Sequence, residues 1–328
     1  MNRTYPIWEQ HCCLPLQSNA SIAELLRYRR PEGSYVSVNV GYAPHTRADS
    51  TALVKSFAWQ ARVEYPDITP VSTILDVADV QRSGGIALAF DLEDSNPLDG
   101  DPDNIAYFYD LGVRSMLPTY NHVNAAGCGC LDAVDTGLTA YGRELVVEMN
   151  RVGMMVDGSH CSVRTGLDLA AATARPMIYS HSNLRRLWEH PRNITDDQAK
   201  ACADTGGVIG INGVGIFLGV NGPDDNKARL EAMADHIEEA VGLVGVDHVG
   251  IGSDYSFDAE DFLDEITHHA ASFSEAYTAW GPLQWVPPED TLTLDVVLRR
   301  RGFDESSIEA IYGGNFTRVA AEVWSTGR

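Results

Sequence analysis

Nowhere in the chain do about 18 apolar residues run together, the length that a membrane-spanning helix requires, and no span is expected. The N-terminal stretch MNRTYPIWEQHCCLPLQ also lacks the continuous apolar segment of a secretory signal, which makes a cytoplasmic protein the expectation. Basic residues are scarce: 24 Lys and Arg stand against 46 Asp and Glu, a formal net charge of −22. Nucleic acid and anionic membrane surfaces attract clustered Lys and Arg, so neither is an expected partner. Cysteines number only 6 in 328 residues, too few for a disulfide framework. Each (Cys12, Cys13, Cys128, Cys130, Cys161, Cys202) is therefore a ligand candidate or a small buried residue. No linker, short-period repeat or low-complexity tract interrupts the chain.

What is present is the composition of a globular protein with a large core, 44% hydrophobic and with 29 glycines for tight turns. The length suits one barrel of about 250 residues carrying insertions, and residues 1–328 are taken as a single domain. The most informative stretch is MMVDGSHCSVRTGLDLAAATARPMIYSH, residues 154–181. Two short apolar runs each end within a few residues at a histidine, His160 and His181, and a helical pattern separates them. A strand, helix, strand unit of this kind places both histidines at strand C-termini, the face on which parallel α/β folds build active sites.

The same alternation extends along the chain. Strands are expected at Pro6–Trp8 leading into His11, at Tyr35–Val40, at Ile86–Leu92 ending on Glu93, and at Val113–Leu117 followed by Tyr120. After the pair described above come Gly207–Asn212 and His248–Ile251, the latter followed by Asp254. Helical patterns fill the connections, including Gly137–Asn150 with Gly153 just past its end. Eight strands so connected are the count of a (β/α)8 TIM-type barrel, an α/β fold. The acidic stretch from Asp258 is read as loop, and closing helices are expected over about 290–328.

His11, Cys13, Glu93, Tyr120, His160, His181 and Asp254 thus collect at strand ends. Imidazole, thiolate and carboxylate are what Zn2+ accepts, and a carboxylate can bridge two ions sharing a water-derived hydroxide, which points to a metal hydrolase. His45, His122, His236, His248, His268 and His269 are expected on the surface or in loops. Cys128 and Cys130 have no second pair beside them, so no structural zinc site is expected there, and Asp94–Asp103 is read as solvated loop.

At this point the chain resembles the membrane (renal-type) dipeptidases, binuclear zinc barrels of the metallo-dependent hydrolase kind. The likeness lies in GLTAYGRELVVEMNRVGMMVDGSHCS, ARPMIYSHSNLRRLWEHPRNITDD and LVGVDHVGIGSDYSF, and returns in RRRGF and GGNFTRV. It implies that Glu93 bridges two ions, that His160 and His181 serve one and His11 the other, and that Asp254 is the catalytic aspartate. It implies further that Arg192, in HPRN with Asn193, holds the substrate's carboxylate. Two positions depart from the pattern. Cys13 stands where the family has aspartate, so either its thiolate is a ligand or it is turned away and only one ion is held; Tyr120 stands where animal members have histidine, and a phenol can still donate to an oxyanion.

The expected activity is zinc-dependent hydrolysis of dipeptides by a metal-bound hydroxide, with Asp254 and Tyr120 catalytic and Arg192 and Asn193 binding substrate. Two alternatives stand beside it: a related amidohydrolase acting on N-acyl amino acids, lactams or modified amides, and a metal-poor binding protein without turnover. The resemblance also implies a homodimer.

Overall fold

A computed structural model of the chain describes residues 3–324. Its centre is a ring of eight parallel strands: β1 (Ile7–Cys13), β2 (Ser34–Asn39), β3 (Ile86–Leu92), β4 (Val113–Met116), β5 (Met155–Val156), β6 (Ile178–Tyr179), β7 (Val208–Ile211) and β8 (Val249–Ile251). Sequence neighbours pair with one another, β1 pairs with β8, and a parallel bridge between Asp157 and Ile178 joins β5 to β6. This is the barrel that the strand count predicts. Two short strands lie outside the ring, Ile68–Pro70 beside β3 and Tyr255–Ser256 beside β1.

All seven residues of β3 are buried, as expected of a parallel strand covered on both faces. Period-two alternation sorts the strand residues into two cores. Ile7, Val36, Leu88 and Tyr179 face the surrounding helices, whereas Trp8, Tyr35, Ala87, Met155, Ile178 and Val208 turn inward. The inward set packs on Phe316, Val319, Val323 and Trp324, so the helix Asn315–Val323 stoppers the N-terminal end of the barrel. Trp8 stacks on Tyr35 at 3.8 Å between ring centres and lies 6.3 Å from Phe316.

Local signals set the connecting helices. Thr46, Thr73 and Thr195 each form a reciprocal capping box at Arg47–Val63, Ile74–Arg82 and Asp196–Asp204. The helices Asn104–Leu111 and Ala140–Val152 end on Gly112 and Gly153 in the left-handed conformation.

Three expectations are corrected. The stretch after Asp258 is not a loop: Asp258 caps the helix Ala259–His268, which lies across the C-terminal mouth of the barrel. Asp94 is not solvated but buried, accepting hydrogen bonds from Tyr120 N and Asn124 Nδ2, each at 2.9 Å. His236, on the helix Asn226–Val244, is buried rather than at the surface, and its Nδ1 accepts from Leu184 N at 3.2 Å. A neutral imidazole there pins the loop after β6. Among the described residues no helix is long and apolar enough to cross a membrane.

Burial lowers the pKa of His236 from 6.5 to about 4, outweighing the opposing charge of Asp235. Between those values the unfolded chain binds a proton that the folded chain refuses, so stability rises with pH across the window. Folding stability is therefore expected to fall as pH drops from 6.5 toward 4, this residue accounting for up to about 3 kcal/mol. Urea unfolding of His236→Gln, whose amide oxygen can accept the same bond, should show a shallower loss over that range. A slope equal to that of the unaltered chain would exonerate the residue.

Candidate metal centre

The site begins with an irregularity in β1. Glu9 pairs with Val36 but Cys12 with Val38, so β1 carries one extra residue, a bulge. Gln10 and His11 can then both point into the barrel: Gln10 Nε2 reaches Ser115 on β4 at 3.4 Å, and His11 Nδ1 donates to Asp91 on β3 at 2.9 Å. Two further site residues sit in strained backbone. His160 (φ 63°) and Asp254 (φ 56°) adopt the left-handed conformation, which costs a residue with a Cβ on the order of 1 kcal/mol or more. The close approach of β6 and β8 needs Gly252, where a Cβ would lie 1.7 Å from Ser180 O.

Three imidazoles converge. The Nε2 atoms of His11, His160 and His181 lie 3.4, 3.3 and 3.3 Å from a single oxygen, Glu93 Oε1. Each ring is aimed by its other nitrogen, held by Asp91 Oδ1 at 2.9 Å for His11, Asn121 Oδ1 at 2.7 Å for His160 and Ser180 Oγ at 2.7 Å for His181. Such outer partners fix the tautomer and present the inner lone pair. Glu93 is gripped in turn through Oε2 by Asn39 Nδ2. Asp254 Oδ1 lies 3.6 Å from His11 Nε2, and its Oδ2 accepts from Asn212 Nδ2 at 2.8 Å. Cys13 Sγ is 3.5 Å from His11 Nε2 and 4.0 Å from Asp254 Oδ1.

These donors form three overlapping groups able to hold an ion: His11, Cys13 and Glu93; His11, His181 and Asp254; and Glu93, His160 and His181. The electrostatics fit a cation. The Nε2 atoms of His160 and His181 are 3.0 Å apart, and two lone pairs that close need a proton or a metal ion between them. Burial keeps both of these imidazoles neutral, well below the usual histidine pKa. Burial also lifts Glu93 to about 8 and raises Asp254. It disfavours charge on His11, but the carboxylates of Asp91 and Glu93 outweigh that and lift its pKa well above normal. The Cys13 thiol is pushed up to about 12, chiefly by burial with His11 opposing. A cluster this rich in buried acid draws a positive charge, and the donor chemistry is that of zinc.

The other expected site residues lie around this cluster. Tyr120 is buried and stacks on the His160 ring at 4.1 Å. Burial and the Glu93 charge hold its phenol protonated. Arg192 is 2% exposed, with its guanidinium 5.2 Å over the Phe217 ring, one nitrogen donating to His181 O and Nε without a partner. Asn193 spends its amide on Trp188 O and Phe217 O, both at 2.9 Å, and so fastens the loop that carries Arg192.

Several contributors are not among the expected residues. Asp91 had a signal, a lone carboxylate inside the apolar strand IALAFDL on the same face as Glu93. Asn39, Asn121, Ser180 and Asn212 had none beyond lying at strand ends. Asn121 also ties the site to the chain above it: its Oδ1 accepts from Tyr277 OH at 3.2 Å and its Nδ2 donates to Ser272 O at 2.9 Å. The roof itself, Phe262, Phe273, Tyr277 and Trp285, was invisible because it belongs to the stretch read as loop.

Comparison with known proteins agrees with this geometry. Residues 30–271 match the family model described as membrane dipeptidase, peptidase family M19. An uncharacterised protein encoded in the pqqA 5′ region of Klebsiella pneumoniae is 32% identical over 259 residues, 76% of this chain and 88% of that protein. The dipeptidase verJ of Clonostachys rogersoniana is 36% identical over 256 residues, 76% of this chain but 59% of that protein. Among solved structures, an amidohydrolase from Pseudomonas aeruginosa superposes with a TM-score of 0.86 at 25% identity, covering 98% of this chain and 97% of that one. A metallopeptidase from Rhodobacter sphaeroides, liganded with a phosphinate mimic of L-Ala-D-Ala, shares the fold at a TM-score of 0.77 and 20% identity, covering 98% and 100% of the two chains. With the barrel, the strand-end histidines and a family match over most of its length, the chain belongs to the membrane dipeptidase family, peptidase family M19.

Proposed function

We propose that the chain is a zinc-dependent dipeptidase whose centre is the cluster of His11, Cys13, Glu93, His160, His181 and Asp254. The observation that carries this reading is the convergence of three Nε2 atoms on Glu93 Oε1, each imidazole locked from behind. His160 and His181 with Glu93 would hold one ion, and His11 and Cys13 with Glu93 the other. Zinc bound at these donors supplies an acidified water and polarises the scissile carbonyl.

The remaining chemistry belongs to side chains. Asp254, raised by burial and oriented by Asn212, is placed to take the proton of the attacking water and return it to the leaving amine. Tyr120, protonated and buried against His160, is placed to donate to the developing oxyanion. Arg192 offers an unpartnered Nε–H to the terminal carboxylate of a short substrate, which favours dipeptides over longer chains. Cys13 is the distinctive member: a thiolate donates more strongly than the family's aspartate, and binding an ion would displace the proton that burial retains.

Purified protein is expected to contain about two zinc ions per chain by elemental analysis and to hydrolyse free dipeptides. Dialysis against a chelator should abolish turnover and zinc should restore it; metal-free protein with no gain on adding zinc would sink the proposal. Cys13→Ala should retain about one ion and Cys13→Asp about two; equal metal content in Cys13→Ala and the unaltered chain would mean that the thiol is turned away. Arg192→Ala should raise KM for dipeptides at least about tenfold and erase discrimination against C-terminal amides. Unchanged KM and selectivity would remove the arginine from the binding role.

A further inference from the structure

The space beside the metal centre is unevenly divided, and the division bears on which dipeptides fit. The compartment that touches Glu93, His160 and Asp254 has a volume of about 30 Å³, about a tenth of that of the cavity beyond it. It is the narrower of the two spaces and the one lined by the metal-site donors, where the reacting amide group belongs. On its outer side Phe262, Tyr277, Leu283 and Trp285 form a wall shared with a second cavity of about 290 Å³. This outer cavity runs between the helix Ala259–His268 and the segment 281–285. Its remaining lining includes Leu263 and Ile266, and Leu263 is 52% exposed, so the cavity opens to solvent along an apolar edge.

Charge gives the bound molecule a direction. Phe217 lines the inner compartment and carries the Arg192 guanidinium over its face at 5.2 Å, so the anionic end of a substrate belongs on this side. The compartment on the opposite side of Cys13, Glu93, Tyr120 and Phe262 carries the carboxylates of Asp261 and Glu265, which suit the ammonium end. The apolar cavity adjoins the inner compartment across Phe262, Tyr277, Leu283 and Trp285 and shares none of the acidic residues. From this arrangement we infer that the cavity between the helix Ala259–His268 and the segment 281–285 receives the side chain of the substrate's C-terminal residue. The preferred substrates are then dipeptides ending in a large apolar or aromatic residue.

The inference rests on the dipeptidase reading, and its test separates the two. With zinc-supplied protein, kcat/KM for L-Ala-L-Phe and L-Ala-L-Leu should exceed that for L-Ala-Gly and L-Ala-L-Asp by at least about tenfold, the discrimination a hydrophobic pocket commonly delivers. Leu283→Trp, which fills the cavity, should lower the ratio of kcat/KM for L-Ala-L-Phe over L-Ala-Gly by a similar factor. Equal rates across the four dipeptides in the unaltered protein would overturn the inference whether or not the variant folds, and so would an unchanged ratio in a folded variant. If no dipeptide is hydrolysed, the dipeptidase reading fails, and calorimetric binding of free L-phenylalanine against glycine decides the cavity's role. Tighter binding of L-phenylalanine supports it and equal binding overturns it.

Discussion

The structure depends on the burial of acid. Asp91 and Glu93 are buried at one end of the barrel with Asp254 close beside them, and His11 and Arg192 supply the positive charge that offsets them. Unpaired burial of such groups is costly, and proteins meet the cost by protonation, pairing or a metal ion. Everything near the cluster serves that accounting. Asn39, Asn212 and Ser37 donate to its carboxylates, and Asn121 and Ser180 hold the imidazoles that share the space. The left-handed backbone at His160 and Asp254 is strain of the kind that persists only where surrounding contacts leave no alternative.

The fold was largely legible because a parallel barrel writes itself locally. Most strands of this chain are short apolar runs, and five of the eight carry at or just past their C-terminal end a polar residue with no reason to follow apolar neighbours unless it faces a site: His11, Glu93, His160, His181, Asp254. The end of one helix followed from Gly153, which adopts the left-handed conformation just past Ala140–Val152, again a local signal. The irregular features were not legible. The bulge in β1 is a matter of register against β2, and nothing in IWEQHCC announces it. The burial of His236 and Asp94 depends on what loops from elsewhere in the chain place over them. The helix Ala259–His268 was hidden by its own composition, since a stretch with so many acidic residues reads as exposed chain although Phe262 and Ile266 pack over the barrel mouth.

That helix and the segment behind it make the roof inseparable from the floor. Asn121 accepts from both the His160 ring and the Tyr277 hydroxyl, and it donates to Ser272 O. His190 links the other side, accepting from Arg192 N at 3.1 Å while its Nε2 meets Ala276 O at 3.2 Å. A movement of residues 272–277 is therefore felt both by an imidazole of the cluster and by the loop that presents the arginine. Domain closure in other hydrolases achieves such coupling with hinges; here two polar side chains carry it.

The stopper at the opposite end of the barrel has a consequence for how the chain acquires its shape during synthesis. Trp8 on the first strand is covered by Phe316 and Trp324, and Asn315 donates to Val246 O and Val249 O beside the last strand. A nascent chain can pair its early strands as they emerge and stack Trp8 on Tyr35, but the rest of the indole has no cover until residues 315–324 have been made. Contacts of such long sequence separation are slow to form because the intervening loop must first be closed. The ring therefore waits, partly unsealed and with its apolar interior open at one end, until that distant segment arrives.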